Sequence, residues 1–99
     1  MNITVLTPDK EIFRGPIKSV KVPGVLGQFQ VLNNHAPIVS ALEEGKVTMV
    51  TSDGEFQFYN QESGELEPGN TAGKEISYTI TKGFIEVLNN EISLLIEGV

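Results

Sequence analysis

The chain has 99 residues, 39% of them hydrophobic and 20% charged, which is enough for one small domain with a single core. Thirteen acidic residues and seven basic ones give a net charge of -6. A negative net charge repels the phosphates of nucleic acids, so nucleic-acid binding is disfavoured. The sequence has no cysteine, which excludes disulfides and cysteine-ligated zinc, and its apolar runs are much shorter than the about 20 residues of a membrane-spanning helix.

Alternation of apolar and polar residues with a period of two dominates the chain and predicts short β-strands. Turn signals such as Pro8-Asp9, Gly15-Pro16 and Pro23-Gly24 separate them. No segment convincingly shows the period of a helix, so the predicted fold class is all-β, as a sandwich or a barrel. In chain order the predicted strands are residues 2–7, 11–14, 17–22, 28–32, 37–42, 46–51, 55–59, 76–80, 84–88 and 91–96.

Two turns also predict which strands pair. Asp53-Gly54 lies between the strands 46–51 and 55–59, and Asp-Gly between alternating runs is a strong hairpin signal. Asn89-Asn90 separates the last two strands, and asparagine tolerates the positive φ that a two-residue turn needs. We therefore expect two hairpins, one at each turn.

Residues 60–74 are acidic, rich in glycine and nearly free of apolar side chains, which predicts an exposed, mobile loop. Nine of the thirteen acidic residues lie beyond residue 50. The simplest interpretation of this excess is a solvated acidic surface.

Patterns that carry catalysis or bind metals are nearly absent from the sequence. His35 is the single histidine, and no serine stands in a nucleophile motif, so it is interpreted as a residue that stabilises a turn or the core. Neither a metal nor a cofactor is expected, because one histidine without cysteine or an aspartate-rich loop makes no ligand set. Glu43 and Glu44 are adjacent and cannot face each other across a cleft, so a hydrolase that uses them with His35 is the weakest hypothesis. The residues predict a small β-domain that presents a surface and is not an enzyme.

Three segments match one known family in the right order. Residues 5–15 match its start. Residues 22–42 contain Val-Pro-Gly, a short glycine loop and then leucine, one further residue, Asn-His-Ala-Pro. Residues 83–87 read Gly-Phe-Ile-Glu-Val, where the family has Gly-Phe-Val-Glu-Val. On these motifs the chain resembles the epsilon subunit of F-type ATP synthases.

The resemblance implies a ten-stranded β-sandwich of short antiparallel strands, with residues 1–99 as one domain and an acidic loop insertion near 60–74. It implies a non-catalytic rotor subunit of the central stalk that couples the c-ring to the gamma subunit during proton- or sodium-driven ATP synthesis. The implied partners are the gamma subunit and the c-ring, with no nucleic acid, no cofactor and a monomer when isolated. The implied location is peripheral, on the cytoplasmic face of the bacterial plasma membrane, and no secretory signal is predicted at the first residues.

The resemblance also assigns two contact surfaces by position, with Gln28 as the expected polar contact to the c-ring. The implied c-ring-facing loop consists of Gly24, Val25, Leu26, Gly27, Gln28 and Phe29. The implied gamma-facing surface consists of His35, Ala36, Pro37, Ile38, Val39 and Ser40.

Three departures from the family pattern lead to further expectations. Bacterial members commonly continue into a two-helix hairpin that inhibits ATP hydrolysis and in some members binds ATP. This sequence ends at Val99, so it resembles a short form or a shortened piece, and neither activity is carried over. Lys82 stands where the family has the first of two glycines, which predicts strain there if the position needs a positive φ. The acidic segment is expected to be either an inert extended hairpin or a contact with another stalk or stator subunit.

A stand-alone β-sandwich that binds a peptide or a carbohydrate is the alternative function. Such modules usually expose aromatic rings in a groove. This chain has five phenylalanines, two tyrosines and no tryptophan, and most of them alternate toward the predicted interior. The aromatic pattern therefore disfavours sugar binding.

Overall fold

The computed structural model describes residues 1–98 and contains ten strands but no helix in that range, which confirms the all-β class. Accordingly, none of these residues belongs to a helix long and apolar enough to cross a bilayer. The strands are β1 Asn2–Leu6, β2 Glu11–Gly24, β3 Gly27–Leu32, β4 Ile38–Leu42, β5 Gly45–Thr51, β6 Phe56–Asn60, β7 Glu65–Gly69, β8 Glu75–Ile80, β9 Lys82–Leu88 and β10 Glu91–Glu97.

Two layers make up the sandwich, and β2 belongs to both. The first layer has the strand order β1-β10-β9-β4, and the second has β3, β2, β5 and β8 side by side. The N-terminal half of β2 pairs with β1 and β6, and its C-terminal half pairs with β3 and β5. All pairings are antiparallel except that of β1 with β10, which is parallel. The predicted sandwich is confirmed, with one parallel pair and one long strand that the sequence did not indicate.

The core lies between the layers and consists of the inward-facing residues, which are every second residue of a strand. Burial along β10 reads exposed, buried, exposed, buried, exposed, buried from Glu91 onward, as the two-residue period of a strand requires. The largest fully buried side chains include Phe13, Ile3, Ile17, Met49, Ile80, Ile85, Ile92, Leu94 and Ile96. These apolar side chains supply most of the driving force for folding.

The Asp53-Gly54 hairpin prediction is wrong. Strands β5 and β6 do not pair with each other, and both run antiparallel to β2 along the same edge. Thr51 faces Ile17, and after a short excursion Gln57 faces Arg14, so the chain continues along the ladder instead of turning back. The turn residues therefore form a bulge in one ladder.

Packing explains why the ladder continues. The ring of Phe56 stacks on that of Phe13 with centroids 5.3 Å apart, a favourable distance for aromatic pairs. Phe56 sits directly over Gly15, where any Cβ would collide with it. A hairpin between β5 and β6 would remove Phe56 from this place in the core.

The predicted break at Gly15-Pro16 is also wrong, because β2 runs unbroken through both residues. Pro16 has no N–H to donate to a neighbouring strand. The strand tolerates it because the pairing of β2 with β1 ends at this residue and the pairing with β5 begins at the next one. The flanking groups keep their hydrogen bonds, since the Ile17 amide donates to the Met1 carbonyl at 2.9 Å and the Ser52 amide donates to the Pro16 carbonyl at 3.2 Å. Likewise Pro23-Gly24 lies within β2, and the turn falls on the next two residues.

The predicted mobile loop at residues 60–74 contains a strand. β7 pairs along its length with β6, from Phe56 opposite Gly69 to Asn60 opposite Glu65, and the turn falls on residues 61–64. Pro68 and Gly69 gave β7 the composition of a loop, but an edge strand that pairs on one side only tolerates proline. The segment is thus an extended hairpin.

A buried hydroxyl fixes the connection from β7 to β8. Thr51 is fully buried, and its Oγ1 donates to the Thr71 carbonyl at 2.6 Å and accepts from the Lys74 amide at 2.9 Å. The Thr51 backbone adds two bonds, from its own amide to the Lys74 carbonyl and from the Gly73 amide to its carbonyl. This side chain therefore orders residues 71–74.

The backbone conformation of Asn89 and Asn90 agrees with expectation, and that of Lys82 does not. Asn89 and Asn90 have φ values of 51° and 65°, which confirms the two-residue turn between β9 and β10. Among the non-glycine residues of 1–98, only these two and Asn34 have a positive φ. Lys82 lies in β9 without a positive φ, so the predicted strain is wrong.

Thr51→Val should release the connection, because valine keeps the shape of threonine but leaves the Lys74 amide and the Thr71 carbonyl without their partner. We expect a loss of about 1–3 kcal/mol in the free energy of unfolding and faster hydrogen exchange at the Lys74 amide. Thr51→Ser is the control, since it keeps the hydroxyl and should keep that amide protected. Equal loss of protection in both variants would contradict the assignment.

Leu94 and Leu95 test the register of β10, because they are neighbours with opposite environments. Leu94 is fully buried and Leu95 is 44% exposed. Leu94→Ala should lower the free energy of unfolding in urea by about 2–5 kcal/mol, as expected for a cavity in the core. Leu95→Ala should cost less than about 1 kcal/mol. Similar losses for the two variants would show that the register is different.

Candidate functional site

The outer surface of the first layer carries a row of apolar side chains. Leu6 on β1 faces Leu95 on β10, which faces Phe84 on β9, which in turn faces Ala41 on β4. These four side chains form an unbroken row across the layer, and the three large ones are 37–44% exposed. The next rows add Val39, 61% exposed, and Leu88, 50% exposed. We call the surface formed by Leu6, Pro37, Val39, Ala41, Phe84, Leu88 and Leu95 the apolar face.

The outer surface of the second layer is polar by comparison. One row across it consists of Gln30, Lys21, Thr48 and Ser77, in the order β3, β2, β5 and β8. The hydroxyls of Thr48 and Ser77 lie 3.3 Å apart and share a hydrogen bond. Leu32 at the edge strand is the large apolar side chain exposed on this side. One layer therefore meets water, and the other exposes the kind of surface that marks a partner.

Two shallow hollows divide the apolar face. One has a volume of about 160 Å³ and lies among Leu6, Phe84, Ser93 and Leu95. The other has a volume of about 230 Å³ and lies among Pro37, Val39 and Leu88. Glu86 borders both hollows. The face can thus receive protruding side chains on either side of one carboxylate.

The predicted surface 35–40 reaches the apolar face only in part. His35, Ala36 and Pro37 lie in the connection from β3 to β4, and Ile38, Val39 and Ser40 begin β4. Only Pro37 and Val39 contribute to the apolar face. Ile38 and Ser40 alternate with them, so they face the core side, where Ile38 packs against buried residues. His35 donates from Nδ1 to the Ala36 carbonyl at 2.6 Å, which fits the predicted role in a turn.

Most of the apolar face was not predicted as a site. Leu6, Phe84, Leu88 and Leu95 come from strands at opposite ends of the sequence, and only the pairing of those strands brings them together. One signal was available, namely the consecutive leucines 94 and 95, which break the alternation of β10. Two adjacent apolar residues in a strand point to both sides of the sheet.

Three asparagines tie the β3–β4 connection to the end of the first layer. Asn33 Oδ1 accepts from Asn90 Nδ2 at 2.7 Å and from the amino group of Met1 at 3.3 Å. The Asn34 amide donates to Asn90 Oδ1 at 2.8 Å. This network fixes the connection that leads into Pro37 and Val39, so the edge of the apolar face is held in place.

The predicted loop 24–29 forms the tip of the hairpin between β2 and β3. Gly24 pairs with Gly27, and Val25 and Leu26 form the turn between them. The Leu26 side chain is completely exposed, with a relative accessibility of 103%. Gly27 has a φ of 125°, which a residue with a side chain rarely adopts.

The glycine at the other side of this tip has a packing role. A Cβ at Gly24 would lie 2.8 Å from both the Gly27 carbonyl oxygen and the ring of Phe29. Phe29 is half-buried and packs against the core, whereas Gln28 is exposed. The tip thus presents two apolar side chains and one amide on a rigid base.

One largely buried ionisable group, Tyr78, lies away from these two surfaces. A hollow of about 330 Å³ lies between the β6–β7 hairpin and β8, among Ile12, Phe58, Tyr59 and Tyr78. Burial raises the pKa of Tyr78 to about 12, so its hydroxyl stays neutral at physiological pH. Within the described part of the chain, no three histidine, aspartate or glutamate side chains come together as a metal site needs. The candidate site consists of the apolar face and the tip at residues 24–29.

Comparisons with known proteins agree on one family. Residues 1–68 match the family model described as ATP synthase, Delta/Epsilon chain, beta-sandwich domain. The ATP synthase epsilon chain of Chlorobaculum tepidum is 37% identical over 97 residues, which is 98% of this chain and 89% of that relative. The epsilon chain of Thermosynechococcus vestitus is 33% identical over 98 residues, and there the chain spans only 56% of the relative's length.

A solved structure supports the fold. A chain in the central stalk and c-ring structure of the Tetrahymena thermophila mitochondrial ATP synthase matches 99% of this chain and 63% of its own length, with a TM-score of 0.65 and 17% identity. An identity this low shows a shared fold and nothing more. The family match over residues 1–68 and the relative at 37% identity together show that the chain belongs to the ATP synthase Delta/Epsilon chain family and forms its β-sandwich domain.

Proposed function

We propose that this chain is a non-catalytic rotor subunit of an F-type ATP synthase. In this role it couples the c-ring to the gamma subunit while an ion gradient, of protons or sodium, drives ATP synthesis. The observation that carries the proposal is the row Leu6–Leu95–Phe84–Ala41, which a member of this family leaves exposed on one outer face. An exposed apolar row of this kind is typical of a surface that a partner covers.

The gamma subunit is the proposed partner of the apolar face. Pro37 and Val39 belong to the surface that the family resemblance assigns to gamma, and they continue directly into the row through β4. The polar network around Asn90 holds this edge in place, so little ordering is needed on binding. His35 and Ala36 lie at the rim of the same contact.

The c-ring is the proposed partner of the hairpin tip at residues 24–29. The tip projects Leu26 completely into solvent, and Gln28 beside it offers an amide that can both donate and accept hydrogen bonds. Contact with the ring would place the chain peripherally at the membrane, on the side where the gamma subunit stands, which is the cytoplasmic face in bacteria.

A stand-alone binding module for peptides or carbohydrates has less support. Phe84 is the one aromatic side chain among residues 1–98 that is largely exposed, and a sugar-binding groove needs several. Phe84 also lies within the apolar row, where its ring borders a shallow hollow of about 160 Å³ and no deep groove.

Phe84→Asp should abolish binding to the gamma subunit, because it places a charge in the middle of the apolar row. A tagged form of the chain is purified together with the gamma subunit and c-ring of the same organism. We expect recovery of gamma with the unmodified chain and at least about 100-fold weaker binding for Phe84→Asp. Thr48→Asp makes a similar change on the polar outer side and should bind normally. If the unmodified chain never recovers gamma, the rotor function is wrong.

Gln28→Lys should weaken attachment to the c-ring without unfolding the domain, since an ammonium group would lose water at the contact without gaining a partner. Gln30→Lys is the matched control, because Gln30 is exposed on the same strand two residues away from Gln28 and outside the tip. Gamma binding should remain unchanged in both variants. An unfolded Gln28→Lys variant, or equal loss of c-ring attachment in the control, would contradict the assignment of the tip.

A further inference from the structure

The Glu86 carboxylate lies in the middle of the apolar face, whereas Glu91 lies opposite Leu88 at its end. Glu86 is on β9 between Phe84 and Leu88, and it faces Ser93 on β10 and Val39 on β4. It also separates the two hollows of about 160 and 230 Å³. Any partner that fills both hollows must therefore cover Glu86.

No lysine or arginine among residues 1–98 forms a salt bridge with this carboxylate. Among residues 1–98 the salt bridges are those of Arg14 with Glu11 and of Lys82 with Glu97. Lys82 is the lysine of the same strand, and its Nζ lies 3.2 Å from Glu97 Oε2. In the free chain, water solvates Glu86, which is exposed. Covering the face removes that water, and an unpaired charge in an apolar contact is strongly unfavourable.

We infer that Glu86 determines which partner this face accepts, by requiring a lysine or arginine opposite it in an otherwise apolar partner surface. This inference rests on the proposed function, in which the partner is the gamma subunit. The apolar row supplies contact area, and it would accept many apolar surfaces equally well. The carboxylate provides the specificity, because a partner surface with a cation opposite Glu86 binds more tightly than an apolar surface without one.

The same residue disfavours a second copy of this chain as the occupant. A two-fold contact between apolar faces would bring Glu86 close to the Glu86 of the other copy, since each face meets itself in such a contact. The chain also carries a net charge of -6, so two copies repel each other as they approach. Charge complementarity thus points to a different protein with a basic group.

Two substitutions separate a specificity contact from a tolerated surface charge. Glu86→Gln removes the charge and keeps the shape, and Glu86→Leu adds apolar area to the face. If a cation faces Glu86, both variants bind the gamma subunit of the same synthase more weakly, by about 10-fold or more. If nothing faces it, both variants bind equally well or more tightly, because the cost of desolvating the carboxylate is gone.

The experiment is isothermal calorimetry of the full chain with that gamma subunit, at low and high salt. Glu75→Gln is the matched control, since it makes the same change in charge on an exposed residue of the second layer and should change the affinity by less than about twofold. The unmodified chain should lose more affinity with added salt than Glu86→Gln does. Urea unfolding of each variant checks that the fold is intact.

The outcomes separate the inference from the proposed function. Weaker binding of both Glu86 variants with an unchanged control supports the inference. Normal or tighter binding of either variant overturns it and leaves the rotor function standing. If the unmodified chain does not bind gamma at all, both the proposed function and the inference are wrong.

Discussion

Strict alternation in the first layer is the constraint on which the rest of the structure depends. Because side chains point to opposite sides with a period of two, the register that places Leu94 in the core also places Leu95 on the outer row. A shift of one residue in the register of any strand would turn its buried side chains outward and its exposed side chains inward. The core would then lose the apolar side chains of that strand. The stability of the domain and the composition of its apolar face are therefore fixed by the same pairings.

Most strands could be predicted from the sequence, but their partners could not. Alternation and turn residues are local signals, and they located to within about two residues the strands β1, β3, β4, β5, β6, β8, β9 and β10. Strand pairing depends on packing between residues that are distant in sequence. The hairpin predicted at Asp53-Gly54 does not form, because Phe56 stacks on Phe13 over Gly15 and this keeps β6 beside β2. β7 was missed because proline and glycine at an edge strand look like a loop in the sequence.

The candidate site was predictable to the extent that it is contiguous in the sequence. The family resemblance indicated the tip at residues 24–29 and the segment containing Val39, since each is one continuous motif. The apolar face joins four strands, and no single segment shows that Leu6 and Phe84 both lie against Leu95. Glu86 was hidden for another reason, because a polar residue at an outward strand position is what any solvated sheet would have.

The pairing of β1 with β10 joins the beginning of the chain to residues 91–97. The first layer is consequently incomplete during synthesis until residues 91–97 have left the ribosome. Before that, β1 has β2 alone as a neighbour, and its hydrophobic residues Ile3 and Val5 lack the layer that later covers them. Such distant pairing is entropically costly to nucleate and slows folding. A nascent chain of this kind depends on late, cooperative closure, and truncation within β10 would remove the strand that joins β1 to β9.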